Sequence, residues 1–398
     1  MPLKVQCGSG ACWQPKGCNA RAVNQMHLVD TTLFYSPTSG GVKRYLDAKH
    51  AWLKSHTTWE HTIVVPGPED RIERGGVSTL AGFVVRENYR LPLNPRRWTE
   101  LLETLEPSLI EAGDAFHPAW CASHVARKRG VPVVAFFHSN LPRIMGRRAG
   151  GFSEQMIGRY VRWLYERFDV VFAPSRLMCS YLHDLGVQHT MYQPLGVDTD
   201  VFRPERRRTD LRERLGLPAQ TRLLIYAGRF AGEKNLPVLL QAFARLGRPY
   251  HLLMIGGDQA AAPAHNVTML PYRRDSRELA EWFASADALV HAGTQETFGL
   301  VILESMACGR PVVAARAAAI PEFVDDTVGM LAQPNDPASM AEAIAALYER
   351  DLAELGAAAR ARVLQQYTWN HAFHAQTLAY ASLVGTRHPA TAAVLSAG

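Results

Sequence analysis

Two glutamates, Glu296 and Glu304, stand eight positions apart in the stretch ETFGLVILESMACGRPVVAA, around an apolar run with helical spacing. The preceding DALVHAG reads as a strand ending near Gly293, which puts Glu296 on a loop at a strand's carboxyl end. Phe298, Gly299 and Leu300 then open a helix whose first N–H groups have no intrahelical acceptor. Glu304 follows about one and a half turns later, a turn being ~3.6 residues. Carboxylates accept hydrogen bonds from hydroxyls, so the pair suits a ligand with hydroxyls at both ends. Two merely solvated glutamates fit poorly, because the helix around them is too apolar to lie exposed.

Three further stretches carry chemistry. In LLIYAGRFAGEKNLPVLLQAF an apolar strand ends at Gly228, and Arg229 and Lys234 occupy the loop before a helix. A guanidinium fork and an ammonium point charge beside a helix N-terminus suit a diphosphate, although two ordinary surface cations would read the same. In YSPTSGGVKRYL a strand gives way to Gly40 and Gly41 and then a helix. Paired glycines let backbone N–H groups approach an anion, or simply make a tight turn. In VVAFFHSN, His138 follows a buried strand, where an imidazole meets ligand in many α/β proteins but more often only bonds its own loop.

The elements that must position these residues alternate regularly. Strands are expected at 27–35, 61–66, 83–85, 108–113, 131–138, 170–174 and 190–194, with helices at 41–54, 96–105, 117–129, 152–168 and 176–185. The second half repeats the theme. Its strands are expected at 222–227, 250–256, 267–270, 288–292, 311–314 and 329–332, and its helices at 235–246, 276–286, 298–308 and 337–349. Such alternation argues for α/β architecture with parallel sheets, and 398 residues exceed the usual size of one core. The charged, proline-bracketed DTDVFRPERRRTDLRERLGLPAQ separates the halves. The division expected is an extension over 1–26, an acceptor-side Rossmann-like domain over 27–198, a linker over 199–220 and a donor-side Rossmann-like domain over 221–368. Residues 369–398 are expected to form a helix returning toward the first domain and an unstructured tail.

Composition narrows the class. Apolar residues are 47% and charged residues 20%, and runs such as VPVVAFF are far shorter than the ~20 residues of a membrane helix. The leader has no apolar signal core, and Met26 is a second candidate start. Cys7, Cys12 and Cys18 lack metal-site spacing and fit a reducing cytoplasm. Residues 1–210 hold 27 Lys and Arg against 20 Asp and Glu, while the remainder is nearly balanced. The basic half suggests an anionic partner, either headgroups or a phosphorylated acceptor, and no nucleic acid. Within 141–167, six arginines face two glutamates; Arg143, Arg147 and Arg148 are expected in a loop beyond His138 that meets an anionic surface. Ile157, Tyr160, Val161, Leu164 and Phe168 have the spacing of a packed helix face.

From residue 27 to about 385 these motifs, in this order, resemble the retaining family 4 glycosyltransferases, whose fold of two facing Rossmann-like domains is called GT-B. Glu296 and Glu304 match the family's Glu-x7-Glu motif, Arg229 and Lys234 its GR…EKN loop, Gly40, Gly41 and Val42 its N-terminal glycine loop, and His138 its strand-end histidine. APS at 173–175 and PLGVDTDVFRP from Pro194 are further landmarks. The resemblance implies transfer of a hexose from a UDP- or GDP-linked donor to a glycan, lipid or lipid-linked acceptor, with retained anomeric configuration and no cofactor. It implies that Arg229 and Lys234 neutralise the departing diphosphate, helped by N–H groups near Gly41. Glu296 would bind sugar hydroxyls with the N–H groups of Phe298, Gly299 and Leu300, Glu304 would hold the ribose, and His138 would contact the sugar near its reacting carbon. No metal is expected, since Asp198 and Asp200 belong to the inter-domain landmark. The setting expected is cell-surface polysaccharide or glycolipid synthesis, in the cytoplasm or at the inner face of the plasma membrane.

Three positions depart from the family pattern: Ala318 and Ala319 replace a frequent Gly-Gly, Thr297 replaces a Gly or Pro, and IGGDQAAAPAHNV is atypical. The competing readings are a sugar-nucleotide epimerase, a phosphorylase on the same fold, or a non-catalytic sugar-binding protein. An epimerase needs its own acid and base and no acceptor, and no pyridoxal-binding lysine can be placed for a phosphorylase. The four retained charged residues argue against a mere binding protein.

Overall fold

The computed structural model describes residues 26–387 apart from 37–39, 87–88, 93, 258–263 and 274. Cys7, Cys12, Cys18, the extension expected before Met26 and the tail after 387 lie outside the described residues.

The first half builds a seven-stranded parallel sheet. Its strands are β1 (His27–Thr31), β2 (Glu60–Gly67), β3 (Val77–Ala81), β6 (Leu109–Ala112), β7 (Val133–Phe136), β8 (Val170–Ala173) and β9 (Thr190–Tyr192), in the order β3-β2-β1-β6-β7-β8-β9. β4 (Phe83–Arg86) and β5 (Tyr89–Leu91) form a separate antiparallel hairpin. The second half builds a six-stranded parallel sheet from β10 (Arg222–Ala227), β11 (Tyr250–Ile255), β12 (Val267–Leu270), β13 (Ala288–His291), β14 (Val312–Ala315) and β15 (Gly329–Ala332), in the order β12-β11-β10-β13-β14-β15. Central segments such as VVAF and VVFA are buried at every position, as strands covered by helices on both faces must be. Each sheet reverses its strand order once, between β1 and β6 and between β10 and β13. Ligands of doubly wound sheets lie at that reversal, beyond the carboxyl ends of the strands. The two-domain α/β fold expected from the alternation is the fold observed.

Several elements differ in detail. The strand expected at 83–85 lies in the hairpin, outside the main sheet. The short edge strand Val77–Ala81 and the alanine-rich helix Leu352–Gln366 were not anticipated. The helix expected at 298–308 spans Leu300–Ala307.

The chain crosses between domains twice, and the crossings pair with each other. Val197 N donates to Tyr367 O at 2.8 Å, and Val197 bridges Thr368. A side chain on Gly196 would meet backbone atoms of Thr368 and Trp369 within 2.6 Å, so glycine is what lets the crossings touch. The helix Trp369–Arg387 then packs back against the first domain.

Beneath that packing lies a buried polar cluster. Asp30 on β1 and Glu111 on β6 are direct register partners on adjacent strands. Lys49, from the helix Gly41–His56, reaches between them, at 3.0 Å from Asp30 and 3.1 Å from Glu111. His61 bonds Asp30 at 2.6 Å, and Tyr45 donates to Glu111 at 2.9 Å. Tyr380 and Gln376 from the last helix also donate to Glu111. Burial alone would raise the Asp30 carboxyl, but Lys49 and the His61 hydrogen bond outweigh it and hold the group at about 2. Burial pushes Glu111 up to about 7, against the pull of Lys49 and with the help of Asp30.

This gives a signed pH dependence. The folded protein favours protonated Glu111, so that contribution is complete below the ordinary value of 4.5 and is lost as pH rises through about 7. Glu111→Gln removes the titration while keeping hydrogen-bonding capacity. Melting temperatures of the two proteins across pH 5 to 8 (a window spanning the titration) should shift steadily in the variant's favour as pH rises; a constant difference would show that Glu111 does not titrate there.

Candidate functional site

The second domain places its charged residues on both sides of the β10/β13 reversal. β10 ends at Ala227, and the chain passes through Gly228 and Arg229 into a 3-10 turn over Gly232–Lys234. This loop is pressed onto the next one, because a side chain on Gly256 would stand 2.1 Å from the Gly228 carbonyl oxygen. Arg229 is 67% exposed and pairs with Glu233 at 3.2 Å. From the other side, β13 ends at His291, and Glu296 follows on the loop. Lys234 Nζ donates to Glu296 Oε1, and His291 Nε2 lies 3.0 Å from the same oxygen. Burial would raise the Glu296 carboxyl, but Lys234 and His291 overcome it and hold the acid far below the usual carboxylate range. Both partners sit on Oε1, and no donor among the described residues reaches Oε2.

The helix Leu300–Ala307 begins next, after Gly299 in a left-handed conformation at φ 103°. Among the described residues, the N–H groups of Phe298, Gly299 and Leu300 reach no backbone acceptor. The Phe298 ring is buried against Phe323 and Tyr367, which fixes the start of this helix. Glu304, one turn in, is buried; Oε1 accepts from Arg44 of the first domain, while Oε2 is buried with no partner among the described residues. A buried carboxylate oxygen without a donor is costly, and a ligand hydroxyl would satisfy it. Ala318 holds φ 51°, a conformation that favours glycine, and Ala319 N donates to the Glu296 carbonyl at 3.3 Å. The departing Ala-Ala pair therefore keeps a glycine-like backbone against Glu296.

The first domain faces this loop set. Gly40 precedes the helix Gly41–His56, and a side chain at Gly41 would lie 3.5 Å from Leu300. The N-terminal turns of helices from both domains thus meet in the cleft. Among the described residues, the first N–H groups of each reach no acceptor, and with the positive end of the helix dipole this is a combination that favours an anion. His138 follows β7, stacked on Phe136 at 4.3 Å with Tyr45 edge-on at 4.9 Å. Burial, reinforced by Lys49, pushes its imidazole down to about 3, so it is neutral at ordinary pH, and Nε2 has no partner among the described residues. Thr297, beside Glu296, donates its hydroxyl to the His138 carbonyl across the cleft at 3.1 Å.

One expectation needs correction. Arg143, Arg147 and Arg148 are not in a loop but on a helix, Leu141–Ala149. Asn140 caps it by accepting from Arg143 N at 3.1 Å, Pro142 suits the first turn, and Gly150 at φ 85° ends it. The Arg148 side chain lies outside the described residues. Arg147 turns into the cleft, where it donates to Gln295 at 2.8 Å and lies beside Gly232 of the cationic loop. His291 and Arg44 are the site residues that sequence reasoning missed, and Arg147 was expected at an anionic surface rather than in the cleft. His291 had the same signal as His138, an imidazole at a strand's carboxyl end. Asp198 uses its carboxylate on its own backbone, accepting from Asp200 N and Val201 N at 3.0 Å.

Known proteins match across both domains. The family models described as Glycosyltransferase Family 4 and Glycosyl transferases group 1 match residues 39–201 and 221–350. A GDP-mannose-dependent alpha-(1-6)-phosphatidylinositol dimannoside mannosyltransferase of Mycobacterium tuberculosis is 30% identical, over 87% of this chain and 94% of its own. A D-inositol 3-phosphate glycosyltransferase of Catenulispora acidiphila is 31% identical, over 93% of each chain. Among solved structures, sucrose-phosphate synthase from Thermosynechococcus elongatus superposes with a TM-score of 0.75 over 91% of this chain and all of its own. Anabaena HepE in complex with UDP-glucose superposes with 0.70 over 89% of this chain and 99% of its own. At 21% and 20% identity, these two likenesses speak for the GT-B fold alone.

The neutral state of His138 is open to direct measurement. In histidine-labelled protein its ring resonances should not titrate between pH 5 and 8, whereas an exposed histidine moves near ~6.5. A midpoint near neutrality would show that the ring is solvated and free to protonate.

Proposed function

The chain belongs to the family 4 glycosyltransferases, and from that premise we propose that it moves a hexose, with retention, from a UDP- or GDP-linked donor to a glycolipid or lipid-linked glycan acceptor. The observation that carries the reading is the Lys234–Glu296 pair, joined across the strand-order reversal and facing His138 through Thr297. A cation for the leaving phosphate, a carboxylate for the sugar and an imidazole for its reacting face stand within one cleft.

In this reading the diphosphate lies between the two helix N-termini, with Lys234 and Arg229 on its oxygens. Glu296 Oε2 accepts from the sugar hydroxyls, and Glu304 Oε2 accepts from the ribose. His138, being neutral, bonds the hexose without adding positive charge beside a carbon that becomes cationic. The bond from the anomeric carbon to the phosphate oxygen breaks as the acceptor oxygen attacks from the same face. The acceptor's proton passes to the departing phosphate oxygen, so no separate protein base is required. Stabilising charge that develops only in the transition state is what such fixed cations and dipoles do best.

The relatives guide the choice of substrates to try. The mycobacterial relative's name gives GDP-mannose and a phosphatidylinositol dimannoside, and the Catenulispora relative's name gives an inositol phosphate. A lipid acceptor fits a cytoplasmic protein working at the inner membrane face. No helix among the described residues is long and apolar enough to cross a membrane.

Nucleotide release from UDP- and GDP-hexoses with candidate acceptors tests the reading. Lys234→Ala should fold normally and lose on the order of 10²–10³ in turnover, as when one charge-stabilising donor is removed. Arg229→Ala should lose less, since its guanidinium is the more exposed of the two. Near-normal turnover in Lys234→Ala would remove the assigned role. Activity should also survive EDTA, because side chains and helix dipoles take the place of an ion; loss restored by Mg²⁺ or Mn²⁺ would make the diphosphate contact metal-borne instead.

A further inference from the structure

Three cations at the cleft are each matched by a carboxylate. Arg229 pairs with Glu233 at 3.2 Å, Lys234 donates to Glu296, and Arg44 of the first domain donates to Glu304. Each pair is formally neutral. Together they offer a multiply charged diphosphate hydrogen bonds, but little net attraction from side-chain charge.

Arg147 is matched differently. It lies on the helix Leu141–Ala149, which begins just after His138. Its guanidinium crosses to the second domain, where Nη1 donates to the side-chain carbonyl of Gln295 at 2.8 Å. An amide accepts the hydrogen bond but leaves the charge in place. Among the described residues no carboxylate pairs with Arg147, and the side chain is exposed. Its Nη2 lies against Gly232, 3.5 Å from where a Cβ would stand. These two contacts bracket one place. Gln295 precedes Glu296 in the chain, and Gly232 opens the turn that carries Lys234. The guanidinium therefore stands at the mouth beside both halves of the Lys234–Glu296 pair. Its neighbour Arg143 is engaged within the first domain, over the Tyr181 ring at 5.8 Å.

We propose that Arg147 is a phosphate-binding residue, delivered by the first domain to the diphosphate of the donor that Lys234 meets from the second. The proposal rests on the glycosyl-transfer reading, which puts the diphosphate at Lys234. The exchange is favourable on chemical grounds. Arg147 gives up an exposed bond to a neutral amide, which water replaces at little cost. It gains charge-assisted bonds to phosphate oxygens, which are shorter and stronger, and its planar fork can hold two oxygens at once. The charge left over in the resting cleft is then used by the ligand. Because Arg147 and Lys234 belong to different domains, a diphosphate held by both also ties the mouth together. A phosphate on the acceptor carries the same oxygens. The position beside Gly232, in the loop of Arg229 and Lys234, favours the donor.

Calorimetry of UDP and GDP binding to the full chain, with no acceptor present, tests the proposal. Wild type should bind at least one of the two. Arg147→Gln should bind that nucleotide about tenfold more weakly, as when one hydrogen bond to a charged group is lost. Its affinity should also fall less steeply with salt, because one ionic contact is missing. Arg147→Lys should recover part of the loss, having the charge without the fork. Gln295→Ala removes the resting partner and keeps the cation, so it should bind the nucleotide no more weakly than wild type. All three variants should keep the wild-type melting temperature, since the bond they alter is exposed. Undiminished nucleotide binding by Arg147→Gln overturns the proposal. So does an equal loss in Gln295→Ala, because Arg147 would then be a strut between the domains. An Arg147→Gln protein that binds UDP and GDP as wild type does, but D-inositol 3-phosphate more weakly, would assign the residue to an acceptor phosphate and overturn the donor assignment. A wild type that binds neither UDP nor GDP would instead remove the glycosyl-transfer reading itself, and this proposal with it.

Discussion

Lys49 lies buried between two carboxylates on adjacent central strands, and much of the molecule is arranged around that placement. Asp30 and Glu111 face each other across β1 and β6; Lys49 keeps the buried Asp30 ionised, while Glu111, beside that charge, favours its protonated form up to about 7. The lysine comes from the helix Gly41–His56, so the requirement for charge neutrality fixes the position of that helix over the sheet. Tyr380 and Gln376 complete the hydrogen bonding from the last helix, which enters this domain only after the chain has crossed back from the other. One buried charge cluster thus holds an early helix, two strands and the C-terminal helix in register.

The cleft inherits its geometry from that helix. Its first turn carries Gly41 against Leu300, and its second residue pair brings Arg44 onto Glu304. Two helix N-termini pointing at one place repel each other unless an anion lies between them. In the proposed reading, that convergence is what favours a doubly charged group in the cleft. Lys234 adds a cation at the same rim, and its partner Glu296 keeps it localised until a ligand competes. The carboxylate, in turn, is kept ionised by Lys234 and His291 despite burial, so it is available as an acceptor of hydroxyl protons over the whole physiological range.

The sequence made the local parts legible, because each is encoded by neighbours in the chain. The strand-loop-helix units around Arg229, Lys234, Glu296 and Glu304 have apolar runs and turn glycines that can be read directly, and Gly309 ends its helix at φ 69° as a stop signal should. Legibility failed where a contact joins distant segments. Arg44 and Glu304 are 260 residues apart, and nothing in either neighbourhood announces the other. The Asp30–Lys49–Glu111 cluster was invisible for the same reason, since each charge alone reads as surface. The basic segment after His138 was misread as a loop because its glycines and arginines hide a short helix that the Asn140 cap and Pro142 begin.

The contacts between domains are graded along the cleft, and the grading bears on how it works. At the crossings, Gly196 lets two backbones touch, Phe298 is buried against Tyr367, and Glu322 caps the helix Arg176–Asp184 of the opposite domain, its oxygens accepting from Arg176 N and Leu177 N at 2.8 Å. A carboxylate that satisfies two first-turn N–H groups is well matched to the dipole it faces. At the mouth, Arg147 donates to Gln295 in a bond exposed to solvent, while the Arg44–Glu304 pair joins the domains further in. Exposed polar contacts of that kind are worth little, and water replaces them readily. Opening therefore costs least at the mouth and most at the crossings, so any movement pivots about Gly196 and Thr368. Thr297 and His138 lie between these extremes, joined by one half-buried hydrogen bond. A donor that satisfied the free oxygens of Glu296 and Glu304 would draw the mouth shut without disturbing the buried hinge.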